Sequence, residues 1–311
     1  MILCGDIGGT KTLLGVAQDG RLLEHRRYAN ADFPDFGSLL ATFFSDTRTD
    51  PARLDGACLA LAGPIADDGA SARLTNLPWT IDAAELAQRF GLPPPRLVND
   101  FAAAAVGAVT SPADQLLALQ AGEPLAAAPR LVVGAGTGLG MAILLPDGNG
   151  WRCIPGEGGH VAFAPANERQ AALWRFLAQR HGRVTWERVV SGPGLSAIHE
   201  FLGGGSLSPE HVAELATEDP AGSAGQALDL FLEAYGAFAG DMALACLARG
   251  GVFLAGGIAA RLHDRLADSG FITAFNAKAE HAVIAARMPI RVAIDPLLGL
   301  HGAMRLPATG S

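Results

Sequence analysis

A repeated hairpin constrains this chain more than any other feature. The sequence opens on "ILCGDIGGTKTLLGVAQDG", and from Leu131 to Gly148 it reads "LVVGAGTGLGMAILLPDG". Each copy is an apolar run, a glycine turn carrying a threonine, a second apolar run and an Asp-Gly pair. Placing Thr10 over Thr137 sets Gly9 over Gly136, and Asp19–Gly20 meets Asp147–Gly148 after one inserted residue. Apolar runs bounded by glycine and Asp-Gly read as strands joined by tight turns. Two such units far apart predict two related domains facing a shared cleft.

Glycine costs backbone entropy on folding, so a cluster marks a sharp turn or a backbone pressed against a ligand. The GxxxxGK[ST] phosphate loop is absent, and counting GxGxxG from Gly134 and Gly136 lands on Leu139, so neither familiar nucleotide loop fits. What remains is a pair of strand–turn–strand hairpins carrying Thr. Successive turn amides with no Cβ in the way form a concave anion nest, and the Thr hydroxyl adds a donor. The phosphates of ATP would suit two such nests. For either hairpin alone, a turn chosen for geometry is the competing reading. A third glycine pair, Gly256–Gly257, ends the strand-like run "GVFLA".

Between the hairpins, short β-branched runs alternate with Ala/Leu-rich stretches, the pattern of an α/β fold. "LDGACLALAGPI" reads as a strand, "DAAELAQRFG" as a short helix stopped by Gly91, and "PPPRLVNDFAAAAVGAV" as a strand running into a helix. The domain boundary is expected near residues 108–113. "WERVVSGPGLSAIHEFL" and "DLFLEAYGAFAGDMALACLA" both read as long amphipathic helices, and the stretch from Gly203 to Ser223 as loop around a short helix.

Composition narrows the function. The 311 residues are 50% hydrophobic and 17% charged, enough to bury one large or two ordinary cores. The apolar runs break well before the length of a membrane span, and the N-terminus shows no export signal. Net charge is −8 and the cations are scattered, so neither nucleic acid nor an anionic membrane finds a basic footprint. Cys4, Cys58, Cys153 and Cys246 form no CxxC pair, which fits a reduced, cytoplasmic setting.

The candidate chemistry lies in carboxylates. Asp100, after Asn99, stands where the strand "RLV" meets the helix "FAAAAVG". There it reads either as a helix cap or as a general base at a strand's carboxyl end, and one residue can be both. "PGEGGHVAF" sets Glu157 and His160 three apart in a glycine-rich loop. With no third ligand nearby no zinc site is expected, and the pair fits recognition of a multi-hydroxyl ligand better. Glu187 in "TWERVV" is by itself an ordinary helix-start Glu. His181, His199, His211, His263 and His281 read as surface or packing residues. The Ser of "SGPG" lacks the GxSxG elbow of a serine hydrolase.

Assembled in order, "GDIGGTKTLLGVA", "LTNLPW", "LVNDFAAAAVG", "GAGTGLGMA", "PGEGGHVAFAP", "ERVVSGPGLSAI" and "FLAGGIAARL" resemble the bacterial-type ATP-dependent glucokinases of the hexokinase/actin/Hsp70 superfamily. "PGEGGHVAFAP" and "ERVVSGPG" are the most particular to that family. The resemblance implies two ribonuclease-H-like, actin/hexokinase-type α/β domains around a central cleft: residues 1–110 with about 300–311, and 111–299. It implies ATP and Mg²⁺ as cofactors, glucose as acceptor, a cytoplasmic setting and, as is usual in the family, a homodimer. By motif position, Asp100 would take the proton from the sugar 6-hydroxyl, and Asn99, Glu157, His160 and Glu187 would hold the other hydroxyls. Gly8, Gly9 and Thr10, with Gly136, Thr137 and Gly138, would grip the phosphates. Asp6 would approach Mg²⁺ through water, and Gly256–Gly257 would border the adenosine.

Two departures qualify the resemblance. Position 11 is Lys where many members have Asn, and the family's "DNPGLLG" is here "DPLLGLHGA" from Asp295. The cysteine-rich zinc motif of the related ROK sugar kinases is missing, and so is the DNA-binding extension of ROK repressors. A kinase for another hexose, or a sugar sensor without catalysis, remains a competing reading. A chaperone ATPase does not, because no peptide-binding domain fits in the length.

Overall fold

Two sheets of the same design organise the chain. The structure is a computed structural model that describes residues 1–75, 77–148 and 150–306. Asn76 of "LTNLPW" and the end of the expected 300–311 segment lie outside the described residues. Contacts divide the chain into two units: residues 1–111 with the chain from Asp295 onward, and residues 112–294.

The first unit is built on β1 (Ile2–Ile7), β2 (Lys11–Gln18), β3 (Arg21–Ala29) and β4 (Gly56–Leu61). A short ribbon of β5 (Ser71–Arg73) and β6 (Thr80–Asp82) precedes β7 (Arg96–Asn99). The sheet order is β3-β2-β1-β4-β7, with β2 antiparallel to β1 and β3, and β1, β4 and β7 mutually parallel. Every residue of β4, "GACLAL", is buried, as a parallel strand covered on both faces requires. β3, "RLLEHRRYA", is charged and largely exposed, which suits an edge that must not pair with other chains. Asp19 and Gly20 take φ of 51° and 73°, the left-handed pair that a two-residue hairpin favours.

Local chemistry sets the helices. Asp82 accepts the Glu85 N–H at 2.9 Å to start the helix Ala83–Phe90, and Gly91 ends it at φ 67°. The helix Asp100–Thr110 packs against the helix Leu298–Arg305 from the end of the chain. Their backbones nearly touch, for a Cβ at Gly302 would run into the Ala103 carbonyl oxygen. Leu3, Ile7, Leu14, Leu39, Leu40 and Phe43 fill the core of this unit.

The second unit adds β8 (Leu116–Gln120), β9 (Arg130–Ala135), β10 (Leu139–Asp147), β11 (Gly150–Gly156), β12 (Gly251–Ala255) and β13 (Ile290–Ala293). Their order is β11-β10-β9-β12-β13-β8. β9 is antiparallel to β10 and parallel to β12, and β12 is parallel to β13. The first five positions therefore repeat the order and directions of the first sheet, and β8 is an added antiparallel edge. The core is the 24-residue helix Ser223–Cys246, whose Phe231, Tyr235 and Phe238 are fully buried. Trp186 packs against Phe238 with tilted rings at 5.5 Å and edge-to-face against Phe163 at 4.9 Å.

One expectation fails. "WERVVSGPGLSAIHEFL" is not one long helix but a 3-10 turn, Trp186–Arg188, followed by the helix Gly192–Phe201. Ser191 caps that helix by accepting the Gly194 N–H, and Pro193 sits in its first turn, where a missing N–H costs nothing. Among the described residues, no helix is long and apolar enough to cross a membrane.

Candidate active site

In the first unit the parallel strands deliver polar residues to one end of the sheet. The registers Ile7↔Leu61 and Leu61↔Asn99 place Asp6, the Gly8–Thr10 turn, Asn99 and Asp100 at the carboxyl ends of β1 and β7. Ligands of open α/β sheets collect at such ends. The helix cap is Asn99, whose Oδ1 accepts the N–H groups of Phe101 and Ala102 at 3.0 and 3.2 Å. That leaves Asp100 as the first helical residue, its Oδ1 accepting the Phe101 N–H at 2.8 Å. Burial pushes the Asp100 carboxyl above the usual range, against the pull of backbone N–H donors.

Asp6 is raised to about 6, by burial first and then by the Asp100 charge, while Lys11 pulls it down. Two neighbouring carboxylates with raised affinities for protons form a site that also favours a hard cation. Gly299, from the divergent "DPLLGLHGA", leaves room for this: a Cβ there would lie 2.5 Å from Asp6 Oδ2. Asp295 starts that segment by accepting the Leu297 N–H at 2.9 Å and pairing with His301.

The Gly8–Thr10 turn is held from outside its own hairpin. Gly8 N–H donates to Lys11 O at 3.0 Å, and Asn30, 2% exposed at the end of β3, contacts the turn with both side chain and backbone. Neither Asn30 nor Gly299 carries a signal in the sequence. Both act through partners that only the folded sheet brings near.

In the second unit the Gly136–Gly138 turn is gripped in the same manner. The Gly192 N–H donates to Gly136 O at 2.8 Å, and Glu187 Oε2 accepts the Leu139 N–H at 2.8 Å. Glu187 is therefore no ordinary surface Glu but is tied to this turn. Glu157 and His160 stand on the loop after β11, Oε2 and Nε2 3.8 Å apart, with side chains 89% and 59% exposed. Gly158 and Gly159 are buried beneath them, so the loop holds both polar groups outward.

A cavity of about 350 Å³ opens beside the glycine turns of this unit. Its wall includes Gly136, Thr137, Gly192, Gly257, Ile258 and Leu262, with Glu210 and Arg261 as its charged members. Gly256, at φ 87°, turns the chain from β12 into the helix that carries Gly257. A mostly apolar cavity next to a nest of turn amides matches a base and sugar joined to phosphates. The Ile258–Leu262 part of this wall is the end of "FLAGGIAARL", whereas the Pro209–Ala213 part carries no sequence motif. Among the described residues, no group of three or more His, Cys, Asp or Glu could hold a metal by itself.

Asp6, Gly8, Gly9, Thr10, Asn99 and Asp100 thus belong to the first unit. Gly136, Thr137, Gly138, Glu157, His160, Glu187, Gly256 and Gly257 belong to the second.

Comparison with known proteins agrees along the whole chain. Residues 3–309 match the glucokinase family. A glucokinase from Nostoc sp. is 37% identical, with 97% of each chain covered. The crystal structure of a glucokinase from an Antarctic psychrotroph superposes with a TM-score of 0.86 at 30% identity, covering 97% of both chains. That of the Balamuthia mandrillaris enzyme in complex with glucose gives 0.77 at 26%, covering 97% of this chain and 92% of the other. With two sheets of one design, a cavity beside paired glycines and a family match spanning nearly its full length, this chain belongs to the glucokinase family.

Proposed function

We infer that the protein transfers the γ-phosphoryl group of ATP to the 6-hydroxyl of glucose, giving glucose 6-phosphate and ADP. Family membership sets the reaction. The observation within the molecule that carries it is Asp100, whose proton affinity burial has raised at the carboxyl end of the parallel strands. The two units act as ribonuclease-H-like domains, which their repeated strand order supports, and the cleft between them is taken from the family resemblance alone. Closing on sugar would exclude water, which otherwise competes as acceptor.

Phosphoryl transfer asks the protein mainly to position and to neutralise charge. In this reading the Gly8–Thr10 and Gly136–Gly138 turns hold phosphates and the cavity beside Gly257 takes the adenosine. Asp100 orients the 6-hydroxyl and accepts its proton, which a raised pKa favours. Asn99, Glu157, His160 and Glu187 hold the remaining hydroxyls. Glu157 and His160, both exposed, offer an acceptor and an imidazole, while Asn99 keeps its Nδ2 donor because the cap uses only Oδ1. Asp6, with Asp100 beside it, fits a hard cation such as Mg²⁺, held through water. Bound there, Mg²⁺ would offset phosphate charge. The resemblance adds a cytoplasmic homodimer; sedimentation of the purified protein checks the dimer, and cell fractionation the location.

A coupled ADP-release assay over glucose, mannose, fructose and N-acetylglucosamine, with and without Mg²⁺, tests this reading. Glucose is expected to give the highest kcat/KM, and turnover to vanish without the metal. A different sugar ahead of glucose by tenfold reassigns the acceptor. Sugar binding without any turnover makes the protein a sensor.

A further inference from the structure

Asn30 uses every polar group it has. Its backbone carbonyl accepts the Phe33 N–H at 3.1 Å, and its backbone N–H donates to Thr10 O at 3.0 Å. Its Nδ2 donates to Gly8 O at 2.9 Å, and its Oδ1 accepts the Thr12 hydroxyl at 2.8 Å. Asn30 is 2% exposed and Thr12 fully buried, so water cannot substitute in this network. The amide orientation is dictated as well: a carbonyl oxygen can only accept, so the NH₂ must face Gly8.

The consequence follows from peptide planarity. Among the described residues no peptide bond is cis, and in a trans peptide the C=O of one residue and the N–H of the next point in opposite directions. Holding the Gly8 carbonyl toward Asn30 therefore aims the Gly9 N–H away from Asn30. That amide is one of those a phosphate would take. Without the hold, the Gly8–Gly9 peptide is less restrained, since neither residue has a Cβ and the bonds that remain, Gly8 N–H to Lys11 O and Asn30 N–H to Thr10 O, leave the Gly8 carbonyl unheld. Asparagine suits the task because one short side chain carries a donor for Gly8 and an acceptor for Thr12.

We propose that Asn30 is a positioning residue for ATP: by tying back the Gly8 carbonyl it presents the Gly9 amide to a phosphate. The proposal rests on the kinase reading for the identity of its ligand. The first variant, Asn30→Ala, releases Gly8 but strands the buried Thr12 hydroxyl, so stability falls as well. The double variant Asn30→Ala/Thr12→Val removes both partners, which relieves that penalty without restoring the hold on Gly8.

Steady-state kinetics and thermal unfolding of both variants separate the two roles. The expected result is an ATP KM raised about tenfold or more in both, a glucose KM within about twofold of the parent, and a Tm that recovers in the double variant. An ATP KM equal to the parent's in the double variant overturns the proposal, as does a parallel rise of both KM values that tracks Tm. Thr12→Val alone unlatches one side of the amide and is expected to raise the ATP KM by a smaller factor. It decides the matter if the double variant does not fold. Should the parent show no turnover with any sugar, the kinase reading fails instead. Calorimetric ATP binding then judges Asn30: about tenfold weaker binding in the double variant upholds the proposal, and unchanged binding ends it.

Discussion

Asp6 places a carboxylate where burial and the Asp100 charge both resist ionisation, and its affinity for a proton is raised to about 6. For an acid whose folded pKa is raised, the folded state binds the extra proton. The stability this contributes is complete below about 4 and is lost as pH rises through 6. Asp6 should therefore cost the ligand-free protein up to roughly 3 kcal/mol above pH 6, taken as a ceiling. Asp6→Asn is expected to raise the Tm at pH 7.5 and to flatten the difference from the parent at pH 4, while turnover falls. Equal Tm values for the two proteins across that pH range would remove the buried charge from the account. The second unit separates two other carboxylates. Glu157 is open to solvent, whereas Glu187 Oε2 is spent on the Leu139 amide. Glu157→Gln is expected to raise the glucose KM with little effect on ATP. Glu187→Ala, which also frees the Gly138–Leu139 turn, should raise both. Steady-state kinetics against each substrate distinguishes them.

At the scale of elements, glycine and caps decided what could be read in advance. The two hairpins were legible because Asp19–Gly20 and the Gly-Thr turns encode their geometry locally. The helix ending at Gly91 was legible for the same reason. The helix at Gly192 was misread because an apolar periodicity runs across Ser191-Gly192-Pro193, where capping and a proline restart the chain. Asn30 could not be found: its partner Thr12 is 18 residues away, and the β2–β3 register alone joins them. Gly299 reaches Asp6 only because the last helix packs backbone to backbone on the Asp100 helix. That packing leaves no room for a methyl group. Gly302→Ala should cost about 1–3 kcal/mol or more, as overpacking does. Urea unfolding measures it, and a variant as stable as the parent would mean that the helices separate easily.

Over the whole molecule, duplication is the feature that sequence and structure share. Two sheets repeat one strand order, each with a glycine turn whose first carbonyl is held from outside the hairpin, by Asn30 in one and Gly192 in the other. The polar groups that differ between the units are of different chemistry. The first unit supplies Asp6 and Asp100, and the second supplies Glu157, His160, Glu187 and the apolar cavity. Family motifs marked the polar members of both sets. Much of the cavity wall also falls in those motifs, at Gly136–Thr137, Gly192–Leu195 and Gly257–Leu262, but its Pro209–Ala213 side was not legible, since a short helix between loops carries nothing to mark it. The central claim is that Asp100 accepts the proton of the sugar hydroxyl, and Asp100→Asn tests it most directly, because the amide keeps the shape and loses the basicity. Calorimetry should find glucose bound nearly as in the parent, while kcat falls by about 10²–10⁴-fold. Turnover close to the parent's, with glucose bound, would contradict the account.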